Sequence, residues 1–231
     1  RYCNPGDEII VAAGDYALTS GLQLSDRNVT LRGATGDRDD VILRGGGMNA
    51  CVQPTTVVHV YVDDVTIADL TVADAYYNGI QLHGENYVDR ATLRKVKTLN
   101  CGERHIKGSM SGITNSMYDV VVENCHLHQT EARLTRPGHS VDPDDYIGGI
   151  DTMISKNWTI RDSVFQGIVG AAGDSRGAVF MWNGTINPTI ERNLFIGCAT
   201  SIAVGKPTNT TKTWQVEGGI VRNSMILKGN A

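Results

Sequence analysis

The sequence predicts an all-β solenoid built from one short unit that recurs along its 231 residues. Each unit begins with a three-residue β-type run, whose last residue serves as a register mark. The marks lie at steps of 26, 29, 38, 30 and 30 residues: Ile67, Leu93, Val122, Ile160, Ile190 and Ile220. A period of about 20–50 residues with strands in every unit is typical of solenoids and propellers, in which neighbouring units bury each other's apolar faces.

A second series of strands, often flanked by glycine, distinguishes these two architectures. Each of these strands offers one apolar residue that we expect to face inward: Ile80, Ile106, Ile150, Val179 and Ile202. A propeller blade needs antiparallel strands joined by hairpins, and hairpin signals are weak here. Stacked parallel coils need no hairpins. We therefore predict one domain, residues 1–231, that is a single-stranded right-handed parallel β-helix of about 7–8 coils.

Two further columns of residues follow the register marks. Three positions after a mark stand small or polar residues suited to a bend: Cys125, Ser163, Asn193 and Asn223. Five positions after a mark stand mostly apolar residues that we expect to point inward: Val72, Thr98, Leu127, Phe165, Phe195 and Met225. A hydrophobic content of 41% with only 3 Phe fits a narrow, aliphatic core.

Several stretches also resemble a known family: Asn4–Val11 with Gly14–Tyr16, Val29–Gly33, Asn157–Asp162 and Ile190–Ile196. They are similar to the right-handed parallel β-helix proteins of the pectin-lyase-like superfamily, and the resemblance covers nearly the whole chain. It is specific for the fold only, because that superfamily holds lyases, hydrolases, epimerases, esterases and binding proteins. The resemblance implies a secretory signal ahead of residue 1, and thus a secreted, periplasmic or cell-surface location.

The C-terminal end carries an expectation of its own. Ile220 to Leu227 has the pattern of a fresh coil, and the sequence stops at Ala231. An uncapped terminal coil exposes an unpaired edge. We expect either that another chain covers this coil or that the sequence is part of a longer β-helix, and we favour the second. The sequence has no transmembrane run.

The charge is unevenly distributed around a net value of −4. Residues 90–107 carry six basic residues and one acidic residue, whereas residues 1–89 carry thirteen acidic and five basic ones. This segment is either a solvated charged face or a cationic strip for a polyanion. Nucleic acid is excluded, because the acidic chain has no recognition helix, zinc motif or RNA-binding signature. An acidic polysaccharide suits a long, shallow groove along a solenoid.

The inward register predicts which side chains share one outer face. These are Gln81, His83, His105, Lys107, Asp151, Phe180 and Trp182. Exposed aromatic residues such as Phe180 and Trp182 could stack on a sugar ring or lie under a loop. The 38-residue step contains an insertion, residues 131–146, that could form one wall of the face or a structural cap.

These side chains support more than one chemistry. We assign Lys107, His105, Asp151 and Arg133 to a catalytic group, and His83, Phe180, Trp182, Gln81 and Arg136 to substrate binding. In β-elimination, Lys107 or His105 would be the base, and Arg104, Arg133 or Arg136 would neutralise a uronate carboxylate. Glu103 and Asp151 could instead hold calcium through oxygen ligands. Lys107 and Asp151, in one column on adjacent coils, could also be a purely structural ion pair.

Two functions from different classes remain open at this point. One is a secreted lyase that cleaves an acidic, uronate-containing polysaccharide. The other is a non-catalytic glycan-binding or adhesion module. A glycoside hydrolase needs two carboxylates about 5–10 Å apart, and the polygalacturonase motifs do not occur in their usual order. Lysine and histidine beside a carboxylate favour the lyase, whereas the lack of a complete family motif favours the binding module.

Overall fold

The computed structural model describes residues 3–109, 117–134, 146–205 and 214–228. Within these ranges every strand pairing is parallel, and most strands pair with the equivalent strand of the next repeat. The helical structure in these ranges is one 3-10 turn, Gly84–Asn86. No helix in the described part of the chain is long and apolar enough to cross a membrane. The all-β solenoid predicted from the repeat is confirmed.

The strands form four sheets, which we name A to D in the order in which the chain enters them. Sheet A contains Glu8–Val11, Thr30–Gly33, Thr66–Ala68, Thr92–Arg94, Val121–Glu123, Thr159–Arg161, Thr189–Glu191 and Ile220–Arg222. Sheet B contains Gly14–Ala17, Val41–Arg44, Thr71–Ala73, Lys97–Leu99, His126–His128, Val164–Gln166, Leu194–Ile196 and Met225–Leu227.

The other two sheets have longer and shorter strands. Sheet C contains Leu22–Leu24, Val58–Val60, Asn78–His83, Arg104–Ser109, Gly148–Met153, Gly177–Trp182 and Ile202–Val204. Sheet D contains Met117–Tyr118, Ser155–Lys156, Thr185–Ile186 and Val216–Glu217. Four consecutive strands of sheet C have six residues each, so this sheet offers the broadest outer face of the solenoid.

Single residues in the left-handed region turn the chain from sheet A into sheet B. Their φ angles lie between +53° and +54°, and they are Asp69, Lys95, Asn124, Asp162, Arg192 and Asn223. Asn and Asp adopt this conformation more readily than other non-glycine residues, because their short polar side chains bond locally. One such residue redirects the backbone without a loop, which explains why the strands on either side are only three residues long.

Aliphatic columns fill the interior, as the composition predicts. The expected stack consists of direct pairing partners on successive strands of sheet C: Ile80, Ile106, Ile150, Val179 and Ile202. The first four are fully buried, and Ile202 packs against the core from a partly buried position. In sheet B the rings of Phe165 and Phe195 stack with centroids 4.9 Å apart. Burying each such side chain stabilises the fold by about 1.5–3 kcal/mol.

The last coil departs from the predicted register by one residue. Ile190 pairs with Val221 rather than with Ile220, because Gly218 takes the left-handed position that Asn187 takes one coil earlier. The bend column accordingly ends in Ser224, whose Oγ accepts a hydrogen bond from the Asn193 N–H at 3.2 Å. The apolar side chains of this coil are about half exposed: Ile220, Val221, Met225, Ile226 and Leu227.

Candidate functional site

The outer face of sheet C brings together most of the side chains predicted to carry function. One column on this face runs through direct pairing partners on seven successive strands: Gln23, His59, Gln81, Lys107, Asp151, Phe180 and Ala203. Adjacent strands lie about 4.8 Å apart. Residues far apart in sequence therefore become neighbours, and the predicted outward placement of Gln81, Lys107 and Asp151 agrees with the structure.

Asp151 occupies the centre of this face and is almost completely buried, with 2% of its surface exposed. Arg104 Nε donates to its Oδ2 at 2.7 Å, and Trp182 Nε1 donates to its Oδ1 at 3.0 Å. Lys107 Nζ lies 3.8 Å from Oδ2. Burial raises the pKa of Asp151, but the charges of Arg104 and Lys107 and these hydrogen bonds outweigh it. Its pKa therefore lies below the ordinary value, and the side chain is an anion at neutral pH.

Three positively charged side chains lie around the ring of Tyr146 on this side of sheet C. The Arg104 guanidinium lies 4.2 Å from the centroid of the tyrosine ring, the Arg176 guanidinium 5.5 Å, and Lys107 Nζ 5.9 Å. Arg104 also donates to the Tyr146 carbonyl at 2.6 Å. An aromatic face attracts cations at such distances. These contacts and the ion pairs of Asp151 join three positively charged side chains, Arg104, Lys107 and Arg176, with one negatively charged side chain, Asp151.

An aromatic pair and a depression continue the face beyond Asp151. The Phe180 and Trp182 rings stack at 5.3 Å, with Phe180 buried and Trp182 half-buried. The indole of Trp182, rather than the ring of Phe180, is therefore the surface open to a sugar. Beside it lies an open depression of about 250 Å³, lined by Asp174, Ser175, Arg176, Phe180, Thr200, Ala203 and Gly205.

His83 belongs to a separate cluster, on the strand that pairs directly with the strand of Lys107. Its Nε2 lies 2.9 Å from Nδ1 of His59, and its Nδ1 lies 2.6 Å from Oε1 of Glu85. The Tyr61 ring stacks on the His83 ring at 4.2 Å. The predicted substrate-binding role of His83 is untested, but 8% exposure and these partners leave little of it open to a ligand.

The prediction that His105 lies on the outer face is wrong. His105 is fully buried, and its two ring nitrogens lie 2.9 Å from Thr98 Oγ1 and 3.1 Å from Gln129 Oε1. Burial lowers the pKa of His105 to about 4. Arg104 and Lys107 both reach the outer Asp151, so the two residues between them both face inward, and simple alternation fails at this strand entry.

Arg133 does not join the Lys107 cluster either. It is buried, with its guanidinium 4.9 Å from the centroid of the Tyr76 ring and its Nη1 donating to the Gly102 carbonyl at 2.7 Å. Arg136 and most of the predicted 131–146 insertion lie outside the described residues. The wall that this insertion was expected to form therefore stays a prediction.

The donor set does not fit the calcium site considered for Glu103 and Asp151. Both oxygens of Asp151 accept hydrogen bonds from positively charged or N–H donors, and Glu103 is 8% exposed. Among the described residues, no group of three or more His, Cys, Asp or Glu side chains could hold a metal ion. Oxygen ligands for calcium must converge without a competing cation, and here Arg104 and Lys107 take that place.

The basic segment 90–107 is not one cationic strip. Its members lie on different sides of the solenoid, and several pair with acids from neighbouring coils. Arg90 pairs with Asp64 at 2.6 Å, and Lys97 with Asp39 at 2.7 Å. Only Arg104 and Lys107 of this segment reach the outer face of sheet C. For the other residues, the alternative reading of a solvated charged face describes the structure.

Sequence reasoning missed three side chains near this face. Tyr146 and Arg176 lie in connections between strands, where register gives no direction. His59 belongs to the same outward column as Lys107, but no register mark was assigned to its coil. Assigning a register mark to that coil would have placed His59 in the outward column, two pairing steps from Lys107.

No family model and no curated protein matches the sequence. The fold is similar to that of the pectate lyase Pel9A (TM-score 0.52, 14% identity, 96% of this chain and 70% of that one). It also matches an alginate lyase from Paenibacillus sp. str. FPU-7 (TM-score 0.47, 14% identity, 97% and 92%) and a pectin methylesterase from Yersinia enterocolitica (0.35, 13%, 94% and 88%).

At these identities the likeness shows the fold and nothing finer. The chain has a parallel β-helix architecture, which confirms the fold predicted from the repeat and from the resemblance. One fold of this kind hosts several activities. The activity must therefore be argued from the outer face of sheet C.

Proposed function

We propose that this chain acts on an acidic, uronate-containing polysaccharide and cleaves it by β-elimination. The observation that carries the proposal is the position of Arg104, Lys107 and Arg176 around the ring of Tyr146, beside the Asp151 carboxylate that pairs with Arg104 and Lys107. A surplus of positive charge on a broad solenoid face suits a carboxylated polymer. An extracellular location belongs to the same proposal, because such a polymer is met outside the cytoplasm.

The roles follow from exposure and reach. Arg104 is 1% exposed and Asp151 is 2% exposed, so neither touches the substrate. They form a buried pair that positions Lys107. Arg176 is partly exposed and lines the depression, and we assign it to the uronate carboxylate. Its charge would stabilise the negative charge that develops on that carboxylate when the neighbouring C–H proton is removed.

Lys107 supplies the base in this scheme. The Lys107 ammonium first gives a proton to solvent; the amine so formed takes the proton from C5 of the uronate, the C4–O4 bond breaks, and the electron pair of the C–H bond becomes the C4–C5 double bond. The departing O4 takes a proton from water, and the hydroxide formed recovers the proton from Lys107. A positioned base of this kind contributes about 10²–10⁴-fold to a rate.

Two other functions compete with the lyase. Glycoside hydrolysis needs two working carboxylates, and Asp151 already has both oxygens engaged by Arg104 and Trp182. A non-catalytic binding module is favoured by the Phe180–Trp182 stack, which offers an aromatic surface beside the cations. In that case Trp182 would support glycan binding, and Lys107 would contribute charge only.

The test measures new unsaturated chain ends, by their ultraviolet absorbance, on alginate, pectate, chondroitin and ulvan. We expect the parent protein to cleave at least one of them, and Lys107→Ala and Arg176→Ala to lose activity on it. Lys156→Ala is the matched control, since Lys156 also lies over a tyrosine ring, that of Tyr118 at 5.8 Å, but on sheet D. Glycan binding without cleavage by the parent would establish the binding module instead.

A further inference from the structure

Glu85, His83 and His59 form a hydrogen-bonded chain that the elimination scheme does not use. Glu85 lies in the 3-10 turn directly after the strand Asn78–His83, so its carboxylate returns to the ring of His83, 2.6 Å from Nδ1. The other nitrogen of His83 faces Nδ1 of His59 across neighbouring coils at 2.9 Å. Two imidazoles and a carboxylate are thus linked in series.

The hydrogen bonds determine which nitrogen of each neutral ring carries the proton. The Glu85 carboxylate can only accept, so His83 donates from Nδ1 and its Nε2 is a lone pair. His59 must then donate from Nδ1 to that lone pair. The second nitrogen of His59, Nε2, is therefore left as a lone pair, and this is the form of histidine that accepts a proton in catalysis.

His59 Nε2 is open to solvent. It has no hydrogen-bond partner among the described residues and is not one of their buried unpaired atoms. A Cβ at position 21 would lie 3.1 Å from Nε2, so glycine at this position avoids a close contact with this nitrogen. Burial, with a smaller effect from the nearby His83, lowers the pKa of His59. The ring is therefore neutral at neutral pH.

The side chains around His59 limit the reactions that this residue could catalyse. Gln23 and Gln81 flank it in the outward column, Tyr61 lies beside it on its own strand, and His83 and Glu85 are the charged or titratable groups behind it. Elimination needs a cation for the uronate carboxylate, and none of these side chains supplies one. Glycoside hydrolysis needs two free carboxylates, and Glu85 is committed to His83. A base that activates water against an uncharged ester is the chemistry left.

We propose that His59 is the general base of a second site, which hydrolyses a small acyl ester carried by the polysaccharide. A water molecule gives a proton to Nε2 as its oxygen bonds to the acyl carbon, forming a tetrahedral intermediate. The acyl C–O bond then breaks, and the departing sugar oxygen takes the proton back from His59. The products are a carboxylic acid and a free sugar hydroxyl, so atoms and protons balance.

His83 and Glu85 are positioning residues in this site. They hold His59 in the tautomer that exposes the Nε2 lone pair, and they stabilise the positive charge that His59 acquires. The proposal goes beyond the elimination chemistry, and it rests on the proposed function only in placing a glycan on this face. His59 and Lys107 are two pairing steps apart, and the coil between them carries Gln81 together with His83 and Glu85.

The experiment measures acetate release from O-acetylated polyuronate and hydrolysis of 4-nitrophenyl acetate. We expect His59→Gln to lower both rates about a hundredfold, the scale of a lost general base. Glu85→Gln should lower them about tenfold, and Glu85→Asp should restore part of the loss. The parent rate should fall on acidification with a midpoint below pH 6.5, and His83→Gln should move that midpoint upward. Nitrogen-15 NMR should show His59 protonated on Nδ1 and not on Nε2.

His128→Gln is the matched control, because His128 is a partly exposed histidine on the outer face of sheet B and stacks on another histidine, His126. It should leave the ester rates unchanged. Full ester hydrolysis in His59→Gln, an Nε2–H tautomer, or no ester hydrolysis by the parent would each overturn the proposal. Elimination is assayed in parallel on unesterified polyuronate, so its failure would count against the first proposal alone.

Discussion

The outer face of sheet C has two zones that share a backbone but differ in charge. The histidine zone, His59 with His83 and Glu85, has one open nitrogen and is neutral on its outer column. The cationic zone, Lys107 with Arg104, Asp151 and Arg176, is charged throughout. His59 and Lys107 occupy equivalent strand positions, two pairing steps apart. The solenoid therefore fixes where a side chain stands, while the neighbours one coil away fix what that side chain can do.

The largest effect should come from breaking the cationic zone at its buried anion. Asp151→Ala leaves Arg104 buried without its carboxylate, so we expect the free energy of unfolding to fall by about 3–5 kcal/mol, as for other broken buried ion pairs. Urea denaturation measures it. Asp162→Ala, which breaks the solvent-exposed pair with Arg192, should change stability little. Equal losses of unfolding free energy in the two variants would show that the buried Asp151–Arg104 pair stabilises the fold no more than the exposed Asp162–Arg192 pair does.

Acid should act on an interior histidine more strongly than on the histidine zone. His105 is neutral when folded because its pKa is lowered from 6.5 to about 4. The unfolded chain therefore binds more protons between these values, and stability is lost as pH falls from about 6.5 toward 4, by up to about 3 kcal/mol. His105→Gln should flatten this slope, measured by urea midpoints across the range. If stability depends on pH in the same way in His105→Gln, other titrating groups cause the loss of stability in acid.

Removing the proposed base should separate activity from stability within the cationic zone. Lys107→Ala is expected to lower the elimination rate about a hundredfold, because no other described amine reaches the same place. The ion pair that it breaks is partly exposed, so unfolding should change by less than about 1 kcal/mol. Initial rates on the best polyuronate and a urea curve on the same preparation decide this. Retained activity would move the base elsewhere.

The smallest effect should come from the aromatic edge of the cationic zone. Trp182→Ala removes both the open indole and its hydrogen bond to Asp151, and we expect glycan affinity to fall about tenfold, the value of a stacked aromatic contact of roughly 1.4 kcal/mol. Titration calorimetry with an oligouronate measures it. Trp182→Phe should recover part of the stacking without the hydrogen bond. No change in affinity in either variant would place the glycan away from this edge.

The repeat in the sequence was sufficient to predict the fold and the inward stack of sheet C. It failed wherever local geometry departs from the average coil. His105 was placed outside because alternation was assumed at a strand entry where two successive residues face inward. The last register mark was one residue early because Gly218 was not recognised as the left-handed turn residue. Tyr146 and Arg176 lie in connections, whose direction no periodicity encodes.

The in-register stacking of sheet C makes the distance between the two zones a discrete quantity. Each coil adds one step of about 4.8 Å along the outward column, so the separation of His59 from Lys107 can take only whole multiples of that step. Deleting the 26 residues that lead from Gln81 to Lys107 would set Lys107 directly beside His59, and duplicating them would add one step. The number of coils between His59 and Lys107 therefore sets the distance between the two proposed sites.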